Sequence, residues 1–259
     1  MKSIDWLKLT YLVTISFYFN VGLSLGVKLK TVKINVLGRD CRVESISFRV
    51  DLLLLGGWAG RDRDEVMKHV EELARIGVPR PRRVPILIPV GSYLIDVYDE
   101  VDVQSQRTNG EVEYVLFIDE GVKYVTVGSD HTDRELEKID VGKSKQAYPK
   151  VIAPLAWRYE DVVDHWDDIV LRSIMWINGR ETLYQNSQLK ALITPTDLLR
   201  LVDELNISRR NLIVFSGTIP VATGELMFGE RFRMEMIDPV LNRCLSYEYR
   251  VRRLPQTQY

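Results

Sequence analysis

Two short stretches hold the residue types that could do chemistry. "GEVEYVLFI" carries Glu111 and Glu113 two positions apart, and "GSDHTDRE" carries Asp130, His131, Asp133, Arg134 and Glu135. Alternate side chains of a β-strand share a face, so Glu111 and Glu113 project together, on the side of Val115 and Phe117. "DEG" at 119–121 reads as a turn, with Gly121 able to take φ > 0. "VKYVTVGSD" then runs back. A turn centred near Glu120–Gly121 makes paired positions sum to about 241, which sets Asp130 opposite Glu111 to within about a residue. Directly opposed side chains have Cβ atoms roughly 5 Å apart. Three carboxylates so close repel one another, and a divalent cation would resolve the repulsion. An all-oxygen donor set favours Mg2+, Mn2+ or Ca2+ over zinc. The competing reading of Glu-x-Glu is the wet face of an edge strand.

Composition narrows the classes. The 259 residues suffice for a real core, and nearly half are apolar. Lys and Arg (35) almost cancel Asp and Glu (36), which leaves no electrostatic footprint for nucleic acid and weighs against a metal-dependent nuclease. Cys41 and Cys244 make no CxxC, so a disulfide framework and a thiolate zinc site are excluded, and a cytoplasmic location is expected. Three histidines, His69, His131 and His165, are too few for a multi-His metal centre. Residues 9–27 are uncharged and about as long as a minimal membrane span, preceded by Lys2 and Lys8. An anchor or signal competes there with an apolar extension of a soluble chain, and the extension is the preferred reading. Nothing else in the sequence is long and apolar enough to span a bilayer.

The elements that would position these residues are mixed. "TVKINVLG" and "CRVESISFRVDLLLL" read as strands. "RDEVMKHVEELARIG" has apolar residues at helical spacing and stops at Gly77 and Pro79. "PRPRRVP" is an extended basic crossing. Strand signals run from 84 to 128. A second helix is expected at 195–205, capped by Thr194 or Thr196, and strands return over 211–253. Trp157, Trp166 and Trp176 are expected in the core. His131 is expected to point away from the acids, at the surface or behind them, and His165 to be a surface or structural residue beside Trp166.

The order of four blocks over residues 111–236 resembles the fumarylacetoacetate hydrolase superfamily, and most closely a little-characterised prokaryotic branch. The blocks are Glu111-x-Glu113 followed by "DHTDR", "GKSKQAYPKVIAP", "WINGRETLYQNSQLKALITPTDLL" and "VFSGTIPVATGELMFGERFRMEM". Upstream, His69-x-x-Glu72 stands where that superfamily often has its His-x-x-Glu. The resemblance implies an α+β, strand-rich fumarylacetoacetate-hydrolase-like fold, a mixed β-sandwich roll with few helices. Residues 1–30 would be an apolar extension and 31–259 a single domain, with a lead-in (31–95) and a metal-binding β-rich core (96–259). Glu111, Glu113 and Asp130 would hold Mg2+, or Mn2+ or Ca2+. His69, Glu72 and Lys145 would be catalytic, and Arg134, Thr218 and Lys143 would bind a small carboxylate substrate. Lys143 and Lys145 both fit the lysine element, with Lys145 preferred.

The sequence departs from the pattern at Glu137, where the superfamily often has Gln, at Glu230 in place of Asp, and in "SGTIP". The implied activity is metal-dependent hydrolysis of a C–C bond in a 2-oxo or 1,3-diketo acid. Decarboxylation, hydration or isomerisation of a related 2-oxo acid is the alternative, and a catalytically silent ligand-binding member of the fold is another. A homodimer is expected, with no nucleic-acid partner.

Overall fold

A computed structural model describes residues 29–75, 80–81 and 83–257, apart from the side chains of His69, Glu72 and Leu73. The apolar run at 9–27 and Arg82 lie outside the described residues. Strands β1 (Lys30–Leu37) and β2 (Val43–Val50) form a hairpin, and β3 (Leu52–Gly57) follows. Helix α1 (Arg63–Arg75) leads towards β4 (Ile86–Val90). The short strands β5 (Ile95–Asp96), β6 (Glu100–Val103) and β7 (Thr108–Asn109) precede the long hairpin of β8 (Val112–Ile118) and β9 (Val122–Asp130). Next come β10 (Thr132–Asp133), α2 (Arg134–Glu137), α3 (Val141–Gln146), β11 (Lys150–Ile152) and β12 (Leu155–Arg158). The chain ends through β13 (Val170–Ile177), β14 (Arg180–Gln188), α4 (Pro195–Glu204), β15 (Leu212–Phe215), β16 (Arg231–Asp238) and β17 (Arg243–Arg253).

The expected strand-rich α+β architecture is what forms. A larger mixed sheet runs β2-β1-β12-β9-β8-β15-β3-β4, and β11 joins it between β9 and β5. A smaller sheet runs β14-β13-β16-β17-β6. The larger sheet has an apolar core on each face. Tyr114, Leu116, Val125, Val127 and Trp157 pack towards Leu171, Phe232, Met234 and Tyr249 of the smaller sheet. On the opposite face Val32, Phe48, Leu53, Leu55, Val115, Phe117 and Phe215 form a second core inside the curl of the sheet. β8 alternates between the two, so all seven of its residues are buried. Glu111-x-Glu113 is therefore not the wet face of an edge strand, because β8 lies between β9 and β15.

Several expectations hold in detail. α4 begins with Thr194 as its cap, the Thr194 hydroxyl accepting from Asp197 N at 3.2 Å, with Pro195 in the first turn. Trp157, Trp166 and Trp176 are buried. Other expectations shift. The expected strand over 41–55 is two strands, because at Asp51 the chain leaves its pairing with β1 and enters one with β15. There Asp51 N donates to Asn211 O at 2.8 Å. At the β8–β9 turn Glu120, not Gly121, takes positive φ (62°), and its N–H donates to Arg209 O at 2.9 Å. α2 and α3 were not visible in the pattern, since four and six residues are too few to show a period. Among the described residues no helix is long and apolar enough to cross a membrane.

β3 and β15 pair in parallel and deliver the Ser216–Gly217 turn beside β8. A methyl on Gly56 would lie 2.5 Å from Ser216 O and 2.8 Å from Gly217 N, against backbone that cannot rotate away. Gly56→Ala is expected to cost about 1–3 kcal/mol by overpacking, read as a lowered urea midpoint with unchanged slope.

Candidate metal centre

The β8–β9 register puts the three acids together. Glu113 faces Gly128 and Val112 faces Ser129, and one step further Asp130 N donates to Glu111 O at 3.1 Å. Asp130 is thus opposite Glu111, as the turn arithmetic required. All three side chains leave the sheet on the face of Val115 and Phe117. Each carboxylate offers one oxygen, and these oxygens lie within 4.8 Å of one another. Gly128 leaves room at this crowded point, since a Cβ there would meet Val115 Cγ2 at 2.6 Å.

Each acid is held from outside by a donor on a different element. Arg134 Nη2 donates to Glu111 Oε1 at 2.8 Å, Gly217 N to Glu113 Oε2 at 2.7 Å, and Lys150 Nζ lies 2.7 Å from Asp130 Oδ1. The other oxygens are less satisfied. Glu111 Oε2 accepts from Lys145 Nζ at 2.6 Å. Glu113 Oε1 and Asp130 Oδ2 are buried without a hydrogen-bond partner among the described residues. Lys145 Nζ does lie 2.6 Å from Asp130 Oδ2, close enough for an ion pair but not aligned as a hydrogen bond. Buried carboxylate oxygens without a hydrogen bond are costly. An all-oxygen set with two such atoms suits a hard divalent cation.

Two short helices aim the cations. Asp133 caps α2 by accepting from Glu135 N and Leu136 N, both at 3.0 Å, which sets Arg134 in the first turn. Arg134 Nε then donates to Asn109 Oδ1 at 2.7 Å and Nη1 to Glu137 Oε2 at 2.9 Å. Asp140 caps α3, and Ser144 Oγ donates to Asp133 O at 3.0 Å, tying α3 to α2. That tie brings Lys145 Nζ within 3.2 Å of Thr132 Oγ1. Lys150 comes from β11, whose register sets it directly against Asp130.

The electrostatics divide the acids. Burial pushes the Glu111 carboxyl up, but Arg134 and Lys145 outweigh it and hold it well below the usual carboxylate range. Burial pushes Glu113 up and Asp130 adds to the effect, so its carboxyl lies well above that range. Burial works against the Lys145 charge, but Asp130 and Glu111 outweigh it and raise the ammonium above its ordinary value. Burial lowers Lys150, with Asp130 opposing.

The other expected site residues are placed unevenly. Lys143 is not with Lys145: its side chain is exposed and pairs with Asp140 at 3.6 Å, because residues two apart on α3 point to opposite sides of the helix. Thr218 is near, but its hydroxyl donates to Val112 O at 2.9 Å and accepts from Gln185 Nε2 at 2.8 Å, so it is engaged by the protein itself. Arg134 has all three nitrogens on protein oxygens. His69 and Glu72 fall on α1, and their side chains lie outside the described residues. His131 does point away from the acids but is fully buried rather than at the surface. Its ring nitrogens meet Tyr249 OH at 3.0 Å and Thr108 Oγ1 at 3.1 Å. Burial, with Lys150 and Arg134, pushes it down to about 3. His165 is structural, 3.0 Å from Asp238 Oδ1. Sequence reasoning missed Lys150, Asn109, Gln185 and Gly217. Only Lys150 left a signal, a charged residue inside the apolar "PKVIAP".

The sequence matches the model of a family described as "Protein of unknown function (DUF2848)" over residues 56–249. No curated protein matches it. Among solved structures the chain is similar to 2-keto-3-deoxy-D-arabinonate dehydratase complexed with magnesium and 2,5-dioxopentanoate, at 14% identity over 82% of this chain and 77% of that one, with a TM-score of 0.55. It is similar to a yeast fumarylacetoacetate hydrolase family protein at 15% identity, over 80% and 95% of the two chains, with a TM-score of 0.52. It is also similar to a fumarylacetoacetate hydrolase from psychrophilic Exiguobacterium antarcticum at 17% identity, over 78% and 75%, with a TM-score of 0.51. At these identities the shared property is the fold.

The pairing pattern predicts opposite effects for two acids in EDTA. Crowding alone would make loss of any acid harmless, but Asp130 is the counter-charge of two buried lysines. Asp130→Asn is expected to destabilise the metal-free protein by about 3–5 kcal/mol, the usual cost of breaking a buried pair. Glu113→Gln, which has no cationic partner among the described residues to abandon, is expected to melt no lower than the wild type. Differential scanning calorimetry of both variants checks the contrast.

Proposed function

We propose, from the premise that this chain belongs to the family described as "Protein of unknown function (DUF2848)" and has the fumarylacetoacetate hydrolase fold, that it is a divalent-metal-dependent enzyme hydrolysing a C–C bond in a small 2-oxo or 1,3-diketo acid. One observation carries the reading. Three carboxylates, Glu113 and Asp130 buried and Glu111 half-buried, converge within 4.8 Å, two of their oxygens lack a hydrogen bond among the described residues, and a charged lysine touches the same cluster. The likeness to a fold neighbour crystallised with magnesium and a dioxo acid supports it.

Glu111, Glu113 and Asp130 would hold the cation, Mg2+ first and Mn2+ or Ca2+ as alternatives. When bound, such an ion polarises a substrate carbonyl and offsets the charge of the departing enolate. Lys145, kept charged by Asp130 and Glu111, would serve as a hydrogen-bond donor rather than a base. It would donate a hydrogen bond to the developing oxyanion or orient the attacking water. Arg134 would fix Glu111, and with Glu137 shape the edge of the site. The Thr218 hydroxyl is engaged, which leaves its backbone N–H to receive a substrate carboxylate.

The base must come from elsewhere. His131 is sealed on the other face of β9, and His165 is bound to Asp238. His69 is the remaining histidine, and Glu72, three residues on along α1, would fix its tautomer. His69 would take a proton from water as the hydroxide adds to the carbonyl, the C–C bond breaks, and the proton returns to the leaving carbon. Dehydration or decarboxylation of a related 2-oxo acid is the second reading, supported by the likeness to a dehydratase.

A panel of acylpyruvates, oxaloacetate and 3-deoxy-2-oxo acids, incubated with Mg2+ or Mn2+ and read by mass spectrometry, tests the function. Cleavage of an acylpyruvate to pyruvate and a carboxylic acid is expected, abolished by EDTA. Loss of water or CO2 without C–C hydrolysis would select the second reading, and no turnover on any of these acids would remove both. His69→Ala is expected to lower kcat by about 10²–10⁴-fold, the range of a positioned proton-transfer group. Mn2+ affinity should be unchanged in that variant. Equal rates for His69→Ala and wild type on every accepted substrate would remove the base assignment.

A further inference from the structure

We infer that Lys150 is a positioning residue that limits Asp130 to one cation-facing oxygen and holds down the affinity of the three acids for a divalent ion. The inference rests on the metal-site reading above.

Lys150 stands in a short strand of otherwise apolar residues, and its side chain has no exposure to solvent. Packing alone would favour an apolar residue there, since burying an ammonium is costly unless it is fully paired. The pairing is specific. β11 runs antiparallel to β9 with Lys150 and Asp130 as direct partners, so both side chains leave the sheet on one face. Nζ lies 2.7 Å from Asp130 Oδ1 and donates to His131 O at 2.8 Å. The carbonyl is itself fixed, because the His131 side chain is clamped between Tyr249 and Thr108 on the opposite face. Lys150 therefore grips the backbone and one carboxylate oxygen of the same short segment.

This grip has two consequences. Asp130 cannot turn both oxygens towards a cation while Oδ1 is held, so Oδ2, buried and without a hydrogen bond among the described residues, is the oxygen left to offer. The ammonium also adds a positive charge beside the ligand, in a site where water cannot screen it. Both effects weaken cation binding. A cation held less tightly keeps more of its charge for a substrate oxygen. Lys145 shares the second effect but not the first, because it lies against the cation-facing oxygens rather than behind them.

The test is Mn2+ binding to the full-length protein by isothermal titration calorimetry, with the bound ion read by electron paramagnetic resonance. Lys150→Met should bind Mn2+ about tenfold to hundredfold more tightly than wild type. Its resonance should change as Asp130 gains a second ligating oxygen. Lys150→Arg should stay within about threefold of wild type, since it restores both charge and donor. In EDTA Lys150→Met should melt lower than wild type, and saturating Mn2+ should raise its Tm by more than it raises that of wild type. A purely structural lysine would predict weaker or unchanged binding. If Lys150→Met does not fold, Lys150→Gln takes its place with the same direction of change. Wild-type binding that is lost in Asp130→Asn but not tightened in the Lys150 variant would overturn the inference and leave the metal reading standing. Wild type that binds no Mn2+ would overturn both.

Discussion

Carboxylates buried side by side inside a sheet need positive charge, and the surroundings of β8 and β9 are organised around that need. Glu111, Glu113 and Asp130 share one face of a hairpin whose strands are central to the larger sheet. Three buried cations answer them: Arg134 from α2, Lys145 from α3 and Lys150 from β11. Among the described residues Glu113 lacks a cationic partner at contact distance and depends on the Gly217 N–H, and burial, with Asp130 beside it, pushes its carboxyl upward. A cluster balanced on two acids and unbalanced on the third is preorganised for one more positive charge.

The geometry follows from strand alternation applied twice. Asp130 and His131 are neighbours in sequence but belong to different cores. Asp130 enters the curl of the larger sheet, and His131 enters the layer between the two sheets, where Tyr249, Thr108 and Tyr148 surround it. A histidine beside a candidate metal ligand is thus removed from the chemistry by a half-turn of the backbone. The same alternation makes it useful as an anchor, since a clamped His131 fixes the carbonyl that receives Lys150.

The segment between β9 and β11 turns a short stretch of chain into three aimed side chains. Asp133 and Asp140 each start a helix of only one or two turns, and the bond from Ser144 Oγ to Asp133 O locks one onto the other. Helices this short are not stable alone. They persist because Arg134 and Lys145 are tied to Glu111, so the site and its supports stabilise each other.

The sequence by itself determined the hairpin and its consequences. Few residues separate β8 from β9, so turn arithmetic fixed Asp130 opposite Glu111, although which residue took positive φ was settled by the Arg209 carbonyl. The cap of α4 and the burial of Trp157 were legible for the same reason, since local propensity and apolar character act over a few residues. The ordered blocks also made the fold legible. What the sequence could not decide was set by distant partners. Lys143 and Lys145 are equivalent in composition, and only the packing of α3 against β10 separates them. Lys150 could have faced water, had β11 not paired with β9. The Thr218 hydroxyl looked free until β14 delivered Gln185 to it. Local geometry is written in spacing, whereas the partner of a buried polar group depends on which strand arrives beside it.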